Sequence, residues 1–164
     1  MAKKEKKPAL ISVNETVADN RRARFDYFLE EKFEAGIQLT GTEVKSLRHG
    51  QCSFNEAFAN FHQGEIWLHG CYIAPYNPAG AHLQHDPRRQ RRLLLNKKQI
   101  NKLLGSVKRD GYTIVPVRIY FNSRGLAKVE IALAKGKASH DKRETIKKRE
   151  WSREKNRVLR GEKI

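Results

Sequence analysis

The chain has 164 residues, of which 34 are Lys or Arg and 18 are Asp or Glu, so its formal net charge is +16. Such an excess of basic residues is typical of proteins that bind a polyanion, either nucleic acid or an anionic membrane surface. Only 38% of the residues are apolar, which excludes a hydrophobic core that takes in the whole chain.

No apolar run approaches the roughly 18 residues of a membrane span, so we expect no membrane-spanning segment. The N-terminal sequence also lacks an apolar stretch of signal-peptide length, which favours a cytoplasmic protein. In that compartment we expect Cys52 and Cys71 to be reduced, buried thiols.

The charge is concentrated at the two ends of the chain. Residues 136–164 hold eleven basic and five acidic residues, whereas 25–135 hold sixteen and ten over a far longer stretch. The C-terminal segment has too few apolar residues to offset the entropy lost on ordering, so we expect disorder or a lone frayed helix until a partner binds. We therefore expect a flexible basic arm at 1–13, a folded domain at 14–135 and a basic tail at 136–164.

The first elements of the folded domain are predicted from the spacing of apolar residues. Apolar and polar residues alternate through 25–39, which favours a strand pair turning around 34–36, although a helix is also compatible with this run. A short helix is expected at 42–50, where Thr40 or Thr42 can cap its N-terminus.

The remaining elements complete a strand-rich pattern. Ile100, Leu103 and Val107 recur at helical spacing and predict a helix at 97–108. The predicted strands are 57–61, 65–74, 91–95, 112–121 and 126–134. Short strands with few helices are typical of a small antiparallel β-barrel, and the OB-type barrel is one such fold. We predict a mainly β protein of this class with short helices.

Residues that could support catalysis are few. His82, His85 and Asp86 could supply metal ligands, but their spacing is loose and a polar loop explains them better. Glu30, Glu31 and Glu34 could form the carboxylate site of a nuclease, although a charged strand face is the simpler interpretation. An acidic residue on a basic RNA-binding protein can also accept a hydrogen bond from a base or a 2′-hydroxyl.

Clusters of arginine carry a stronger signal. Residues 20–25 combine three arginines with Phe25, which suits phosphate binding next to a base-stacking ring. Residues 86–92 place four arginines in five positions. The arginines concerned are Arg21, Arg22, Arg24, Arg88, Arg89, Arg91 and Arg92. A solvated loop is the simple alternative for either cluster. Together with the basic ends they favour RNA over a membrane, because no helix shows the continuous apolar face of a membrane-surface helix.

The tail has a helix start signal. Asp141 can cap a helix with Glu144 three residues later, and nothing breaks a helix from there to Arg160. Such a helix would be about 30 Å long, charged all round, with Trp151 as its one large aromatic residue. It could form inside a polyanionic channel; an expendable solubilising tail is the alternative.

Several segments together form a recognisable pattern: 20–36 (NRRARFDYFLEEKFEAG), 39–48 (LTGTEVKSLR), 72–76 (YIAPY), 86–96 (DPRRQRRLLLN), 134–137 (AKGK), 140–143 (HDKR) and 149–151 (REW). In this order, and in register over roughly residues 14 to 160, they resemble the SmpB family, the tmRNA-binding (SsrA-binding) proteins of bacteria.

The resemblance implies a non-enzymatic adaptor without a cofactor. It implies an OB-like barrel that binds the tRNA-like domain of tmRNA and delivers it to ribosomes stalled without a stop codon, for trans-translation. The implied partners are tmRNA, the small-subunit RNA of the stalled ribosome and elongation factor Tu carrying alanyl-tmRNA, with the protein as a monomer and no membrane. The implied tRNA-like-domain contacts are Asn20, Glu34, Leu94 and Lys128.

The resemblance also implies a role for the tail. On the stalled ribosome, the tail of family members replaces the missing codon–anticodon contact and then lies, as a helix, in the empty mRNA channel. The implied tail residues are Gly136, Lys137, Asp141, Lys142 and Arg143, with Trp151 as an anchor. Two positions depart from the family pattern. Many members have His where this chain has Phe25, and many have Lys where it has Ala138.

Two rival functions stay open at the level of sequence. An intrinsic ribosomal protein would share the basic composition and would sediment with all ribosomes in a fixed ratio. A nuclease would use Glu30, Glu34 or the loop at 82–86 and would need a divalent metal.

Overall fold

The computed structural model describes residues 9–54 and 56–161, so the first eight residues of the predicted basic arm lie outside the described residues. Within these ranges the chain forms nine strands and four α-helices. The strands are β1 Thr16–Asp19, β2 Tyr27–Ile37, β3 Cys52–Ser53, β4 Phe58–His62, β5 Glu65–His69, β6 Tyr72–Ile73, β7 Arg91–Leu94, β8 Thr113–Phe121 and β9 Ala127–Gly136. The helices are α1 Arg21–Asp26, α2 Gly41–Arg48, α3 Lys97–Asp110 and α4 Ser139–Leu159.

Six of the strands form an antiparallel ring. The hydrogen-bonded order is β8, β4, β5, β7, β2 and β9, and β9 pairs again with β8. The β4–β8 contact is the weakest seam, with one register pair, Ala59 with Ile114. β1 adds to β8 from outside, and β3 pairs with β6 in a separate ribbon. The prediction of a small OB-like antiparallel barrel is confirmed.

Alternation along the strands separates the core from the outer face. Inward residues such as Leu68, Leu93 and Ile131 are completely buried, while their strand neighbours face outward. Leu47 of α2 and Leu103 of α3 join the same core. Each such side chain contributes roughly 1.5–3 kcal/mol of burial free energy, which pins the register of every strand.

Two glycines explain where the strand predictions were wrong. β2 is one continuous strand through Gly36, because this glycine serves close packing: a Cβ there would lie 3.1 Å from the Cβ of Leu94. Conversely, the predicted strand at 65–74 is interrupted at Gly70, whose φ is +71°. The chain bends there, so that Tyr72 and Ile73 leave the barrel and pair with β3.

Local capping marks α2 and α3, which were predicted from the sequence, whereas α1 was not predicted although Asn20 caps it. Thr40 and Glu43 form a reciprocal capping box at the start of α2, as do Asn96 and Gln99 at the start of α3. The tail is helical over 21 residues. Of the two expected alternatives, disorder and a helix, the structure shows the helix. It begins at Ser139 rather than at Asp141, whose carboxylate instead lies in the first turn, where the helix dipole favours negative charge. In the described ranges, no helix has the length and apolar character needed to cross a membrane.

Candidate nucleic-acid interface

Three of the residues implied by the family resemblance lie together on the outer face of the barrel. Gly36 of β2 is paired with Leu94 of β7 on one side and with Lys128 of β9 on the other. Glu34 lies two residues before Gly36 and therefore on the same face. Leu94 is 46% exposed although it is a large apolar residue. The side chain of Leu94 lies over Gly36, so an exposed leucine, a lysine and a carboxylate share one face of the barrel.

Tyr120 of β8 completes this face, and the sequence analysis did not identify it. It is paired with Lys128 across β8 and β9, and its hydroxyl donates a hydrogen bond to Oε2 of Glu34. Burial and the hydrogen bond to Glu34 raise the pKa of the Tyr120 hydroxyl, so it remains a donor. We name Glu34, Gly36, Leu94, Tyr120 and Lys128 the barrel face.

A network of charges from β8, β9 and β2 borders the barrel face. The guanidinium of Arg118 lies 4.3 Å from the centre of the Tyr120 ring and pairs with Glu130 at 3.2 Å. Glu130 also pairs with Lys32 of β2 at 3.5 Å. Outward alternation on β8 was the only sequence signal for Arg118 and Tyr120, and it does not reveal which strand lies next to them.

Asn20 has a structural role in this chain. It is only 5% exposed, and its side-chain oxygen caps α1 by accepting from the backbone N–H of Ala23 at 3.1 Å. Its amide nitrogen donates to the carbonyl oxygen of Pro116 at 2.8 Å. Both polar atoms therefore help to hold α1 against β8. The RNA contact expected of Asn20 stays a prediction.

The arginines of α1 are available on the surface. Arg21 is exposed, Arg22 pairs with Asp26 at 3.3 Å and Arg24 pairs with Asp19 at 2.9 Å. Exposed pairs of this kind contribute about 0–1 kcal/mol, so either arginine can exchange its carboxylate for a phosphate at little cost. Phe25 is half-buried, with the guanidinium of Arg149 5.7 Å from its ring centre.

The second arginine cluster divides into two groups. Arg91 is completely buried, with Nε paired to Glu43, so the prediction that it contacts RNA is wrong. The reason is strand alternation: Arg91 and Leu93 point inward, whereas Arg92 and Leu94 point outward. Arg88 is exposed, Arg92 pairs loosely with Glu65 at 3.8 Å, and Arg89 pairs with Glu43 at 2.6 Å.

Arg91 instead organises the loop that precedes it. Besides Glu43, it donates to the carbonyl oxygens of Cys71 at 2.8 Å and of Arg89 at 3.0 Å. Burial raises the pKa of Glu43, but hydrogen bonds from Arg89, the Thr40 backbone and Arg91 outweigh burial, so the net pKa is lowered. The buried pair therefore holds the loop that displays Arg88 outward.

The tail is joined to the barrel mainly at Asp26. The backbone N–H of Lys137 donates to the carbonyl oxygen of Asp26 at 2.8 Å, and Nζ of Lys142 lies 3.3 Å from its carboxylate. Nζ of Lys137 also lies 5.1 Å from the ring centre of Phe28. Two basic residues of the tail thus contact the segment at 24–28, and this connection was missed from the sequence.

The other implied tail residues are placed along an exposed helix. Gly136 ends β9 opposite Tyr27, and Asp141 lies 3.2 Å from Nε2 of His140. Arg143 is exposed and Trp151 is 64% exposed. An exposed tryptophan on a highly charged helix has no core of its own to enter.

The residues considered for catalysis do not converge. Glu30 accepts from the hydroxyl of Tyr112 at 2.5 Å, and Glu31 pairs with Lys102 at 2.5 Å, so the three glutamates have three separate partners. His85 is buried and bonded to Thr42 at 2.8 Å, away from any exposed ligand set. The described part of the chain contains no group of three His, Cys, Asp or Glu residues that could hold a metal ion.

The two cysteines are free thiols with sulfur atoms 3.7 Å apart. Cys71 is 1% exposed, as expected, whereas Cys52 is only half-buried. Their place at the β3–β6 ribbon is away from the barrel face.

The sequence of this chain is similar to known proteins over most of its length. The family model for SmpB protein matches residues 17–161. An SsrA-binding protein of Afipia carboxidovorans is 55% identical over 157 residues, covering 96% of this chain and 98% of that protein. An SsrA-binding protein of Sphingomonas elodea is 54% identical, covering 94% and 96%.

A solved structure supports the same assignment. A chain from the work "tmRNA-SmpB: a journey to the center of the bacterial ribosome" superposes with a TM-score of 0.62 at 53% identity. The match covers 74% of this chain and 85% of that chain. With a family match over most of its length and relatives more than half identical to it, the chain belongs to the SmpB protein family.

Proposed function

We propose that this protein binds the tRNA-like domain of tmRNA and delivers it to stalled ribosomes for trans-translation. The observation that carries the proposal is the convergence of Glu34, Leu94 and Lys128 on one exposed face of the barrel. Membership of the SmpB family and relatives named SsrA-binding protein support it. The role is that of an adaptor without catalytic chemistry or cofactor, and the ribosome is its second partner.

The barrel face offers three kinds of contact to an RNA. The carboxylate of Glu34 accepts from a base or a 2′-hydroxyl, Lys128 neutralises a phosphate, and Leu94 packs against an exposed base. Phosphate contacts around it come from the accessible arginines, namely Arg21, Arg22, Arg24, Arg88, Arg89 and Arg92. Phe25 supplies a stacking ring without the hydrogen-bond donor of a histidine.

The division of labour along the chain follows the charge. The barrel at 14–135 grips tmRNA, and the tail at 136–164 occupies the decoding site and the empty mRNA channel. Its 21-residue helix is about 30 Å long and basic throughout, which suits a channel lined with RNA. Elongation factor Tu carrying alanyl-tmRNA is the partner that accompanies the protein to the ribosome.

The first test concerns the barrel face. Glu34→Ala and Lys128→Ala should each weaken binding to the tRNA-like domain about ten- to hundredfold in a gel-shift titration. Removing one good polar contact to a charged group costs about 1.5–3 kcal/mol. Glu31→Ala is the matched control, since Glu31 pairs with Lys102 away from this face. Unchanged affinity in both test variants would contradict the proposal.

The second test separates the tail from the barrel. Replacing Asp141, Lys142 and Arg143 together with alanine should keep the affinity for tmRNA but abolish tagging of stalled products in a translation assay. Normal tagging by this variant would remove the proposed role of the tail.

A further inference from the structure

Two members of the barrel face, Tyr120 and Glu34, are joined through their side chains. The Tyr120 hydroxyl donates to Oε2 of Glu34, and within the described residues no hydrogen bond is made to Oε1. The two residues are 86 positions apart, on β8 and β2, which are not paired with each other. The bond therefore crosses the intervening strand β9 diagonally, since Tyr120 is paired with Lys128 and Glu34 is paired with Glu130.

We propose that Tyr120 is a positioning residue for RNA recognition, which holds the Glu34 carboxylate so that its other oxygen, Oε1, faces the RNA. The inference rests on the proposed function. An exposed glutamate on a strand populates several rotamers, and fixing it on binding costs conformational entropy. A carboxylate already held through one oxygen avoids most of that cost and presents a single acceptor direction.

The surroundings of Tyr120 suit a positioning role. Its ring is covered by the guanidinium of Arg118, 4.3 Å from the ring centre. Arg118 is itself tied to Glu130 at 3.2 Å and to the hydroxyl of Thr16 at 3.3 Å. Contacts with β9 and β1 therefore fix Arg118 against the Tyr120 ring, while the Tyr120 hydroxyl reaches Glu34 on the barrel face.

The chain contains its own control for this contact. The hydroxyl of Tyr112 donates to Oε2 of Glu30 at 2.5 Å, and the Lys135 ammonium lies 4.7 Å from the Tyr112 ring centre. This second tyrosine–glutamate pair is chemically similar but lies away from Leu94 and Lys128. Tyr112→Phe therefore measures what losing such a bond does to the protein apart from RNA recognition.

The experiment measures affinity for the tRNA-like domain of tmRNA and for an unrelated RNA of equal length. Tyr120→Phe should weaken binding to the tRNA-like domain about five- to tenfold and binding to the unrelated RNA less than twofold. Tyr112→Phe should change both less than twofold. An unaltered affinity of Tyr120→Phe for the tRNA-like domain, or an equal loss for both RNAs, would overturn the inference.

A double-mutant cycle distinguishes positioning from direct contact. If Tyr120 acts through Glu34, Tyr120→Phe should have less than a twofold effect when Glu34 is already alanine. A loss as large as in the native background would mean that the phenol acts on its own, which would contradict the positioning role. Thermal unfolding of each variant verifies that the fold is intact.

The same titrations distinguish a failure of the proposed function from a failure of the inference about Tyr120. If the unaltered protein shows no preference for the tRNA-like domain over the unrelated RNA, the proposed function is refuted and the positioning role with it. If that preference is present but Tyr120→Phe keeps it in full, only the inference about Tyr120 is refuted.

Discussion

Replacing Glu43 with alanine tests whether one buried ion pair organises the barrel and its arginine loop. Glu43 is completely buried and accepts hydrogen bonds from Arg91, Arg89 and the Thr40 backbone. Its removal leaves the equally buried Arg91 without its counter-ion, which costs about 3–5 kcal/mol. That is a large part of the 5–15 kcal/mol that stabilises a typical domain.

The assay is thermal and denaturant unfolding followed by circular dichroism. At about 3 °C per kcal/mol, Glu43→Ala should lower Tm by about 10 °C or more. Glu65→Ala is the matched control, because its pair with Arg92 is exposed and 3.8 Å long, so its loss should cost less than about 1 kcal/mol. Equal, small losses in both variants would refute the structural role assigned to Glu43.

The same pair predicts a pH dependence. Because the pKa of Glu43 is lowered from its ordinary value of 4.5 in the folded protein, the unfolded chain takes up the proton more readily. The stabilisation is fully present above pH 4.5 and is lost as the pH falls below that value toward the folded pKa. Acidification from pH 7 to 3 should therefore narrow the stability gap between the unaltered protein and Glu43→Ala, and a constant gap would contradict this.

Three further predictions follow from single contacts. Gly70→Ala should destabilise the protein by about 2–3 kcal/mol, because φ is +71° and the added Cβ would lie 2.7 Å from the Glu56 carbonyl oxygen; Gly64→Ala, with open space around it, should cost about 1 kcal/mol. Asp26→Asn should increase amide exchange in α4 up to about fivefold by weakening the pair with Lys142, and unchanged exchange would contradict this latch. Arg88→Ala should reduce the log–log salt slope of RNA binding by about one for every RNA, and an unaltered slope would show that it makes no phosphate contact.

Locally encoded features of this fold were predictable from the sequence. The helices α2 and α3 begin where Thr40 and Asn96 start capping boxes, which need only residues within one turn. The barrel class followed from the number and spacing of alternating segments. Gly36 was interpreted as part of a turn, and the bend at Gly70 was missed. The sequence alone does not distinguish a glycine that a turn requires from one that close packing requires.

The candidate site could likewise be predicted only in part from the sequence. Composition identified the arginine cluster but not which member turns inward, since that depends on the alternation that pairs Arg91 with Leu93. Glu34, Leu94 and Lys128 were identified through the family resemblance, and only the strand register brings them together. Tyr120 was missed because its partner lies 86 residues away and no local pattern encodes such a contact.

The central claim, selective binding of tmRNA by the barrel face, is tested most directly by the salt dependence of affinity. The tRNA-like domain of tmRNA is compared with an unrelated RNA of equal length. Six to ten phosphate contacts predict a log–log slope of roughly −4 to −9 for both RNAs. A preference for the tRNA-like domain that persists at high salt is the predicted result, because base and shape contacts are not screened. Equal affinity for both RNAs at every salt concentration would contradict the account and leave only a general polyanion binder.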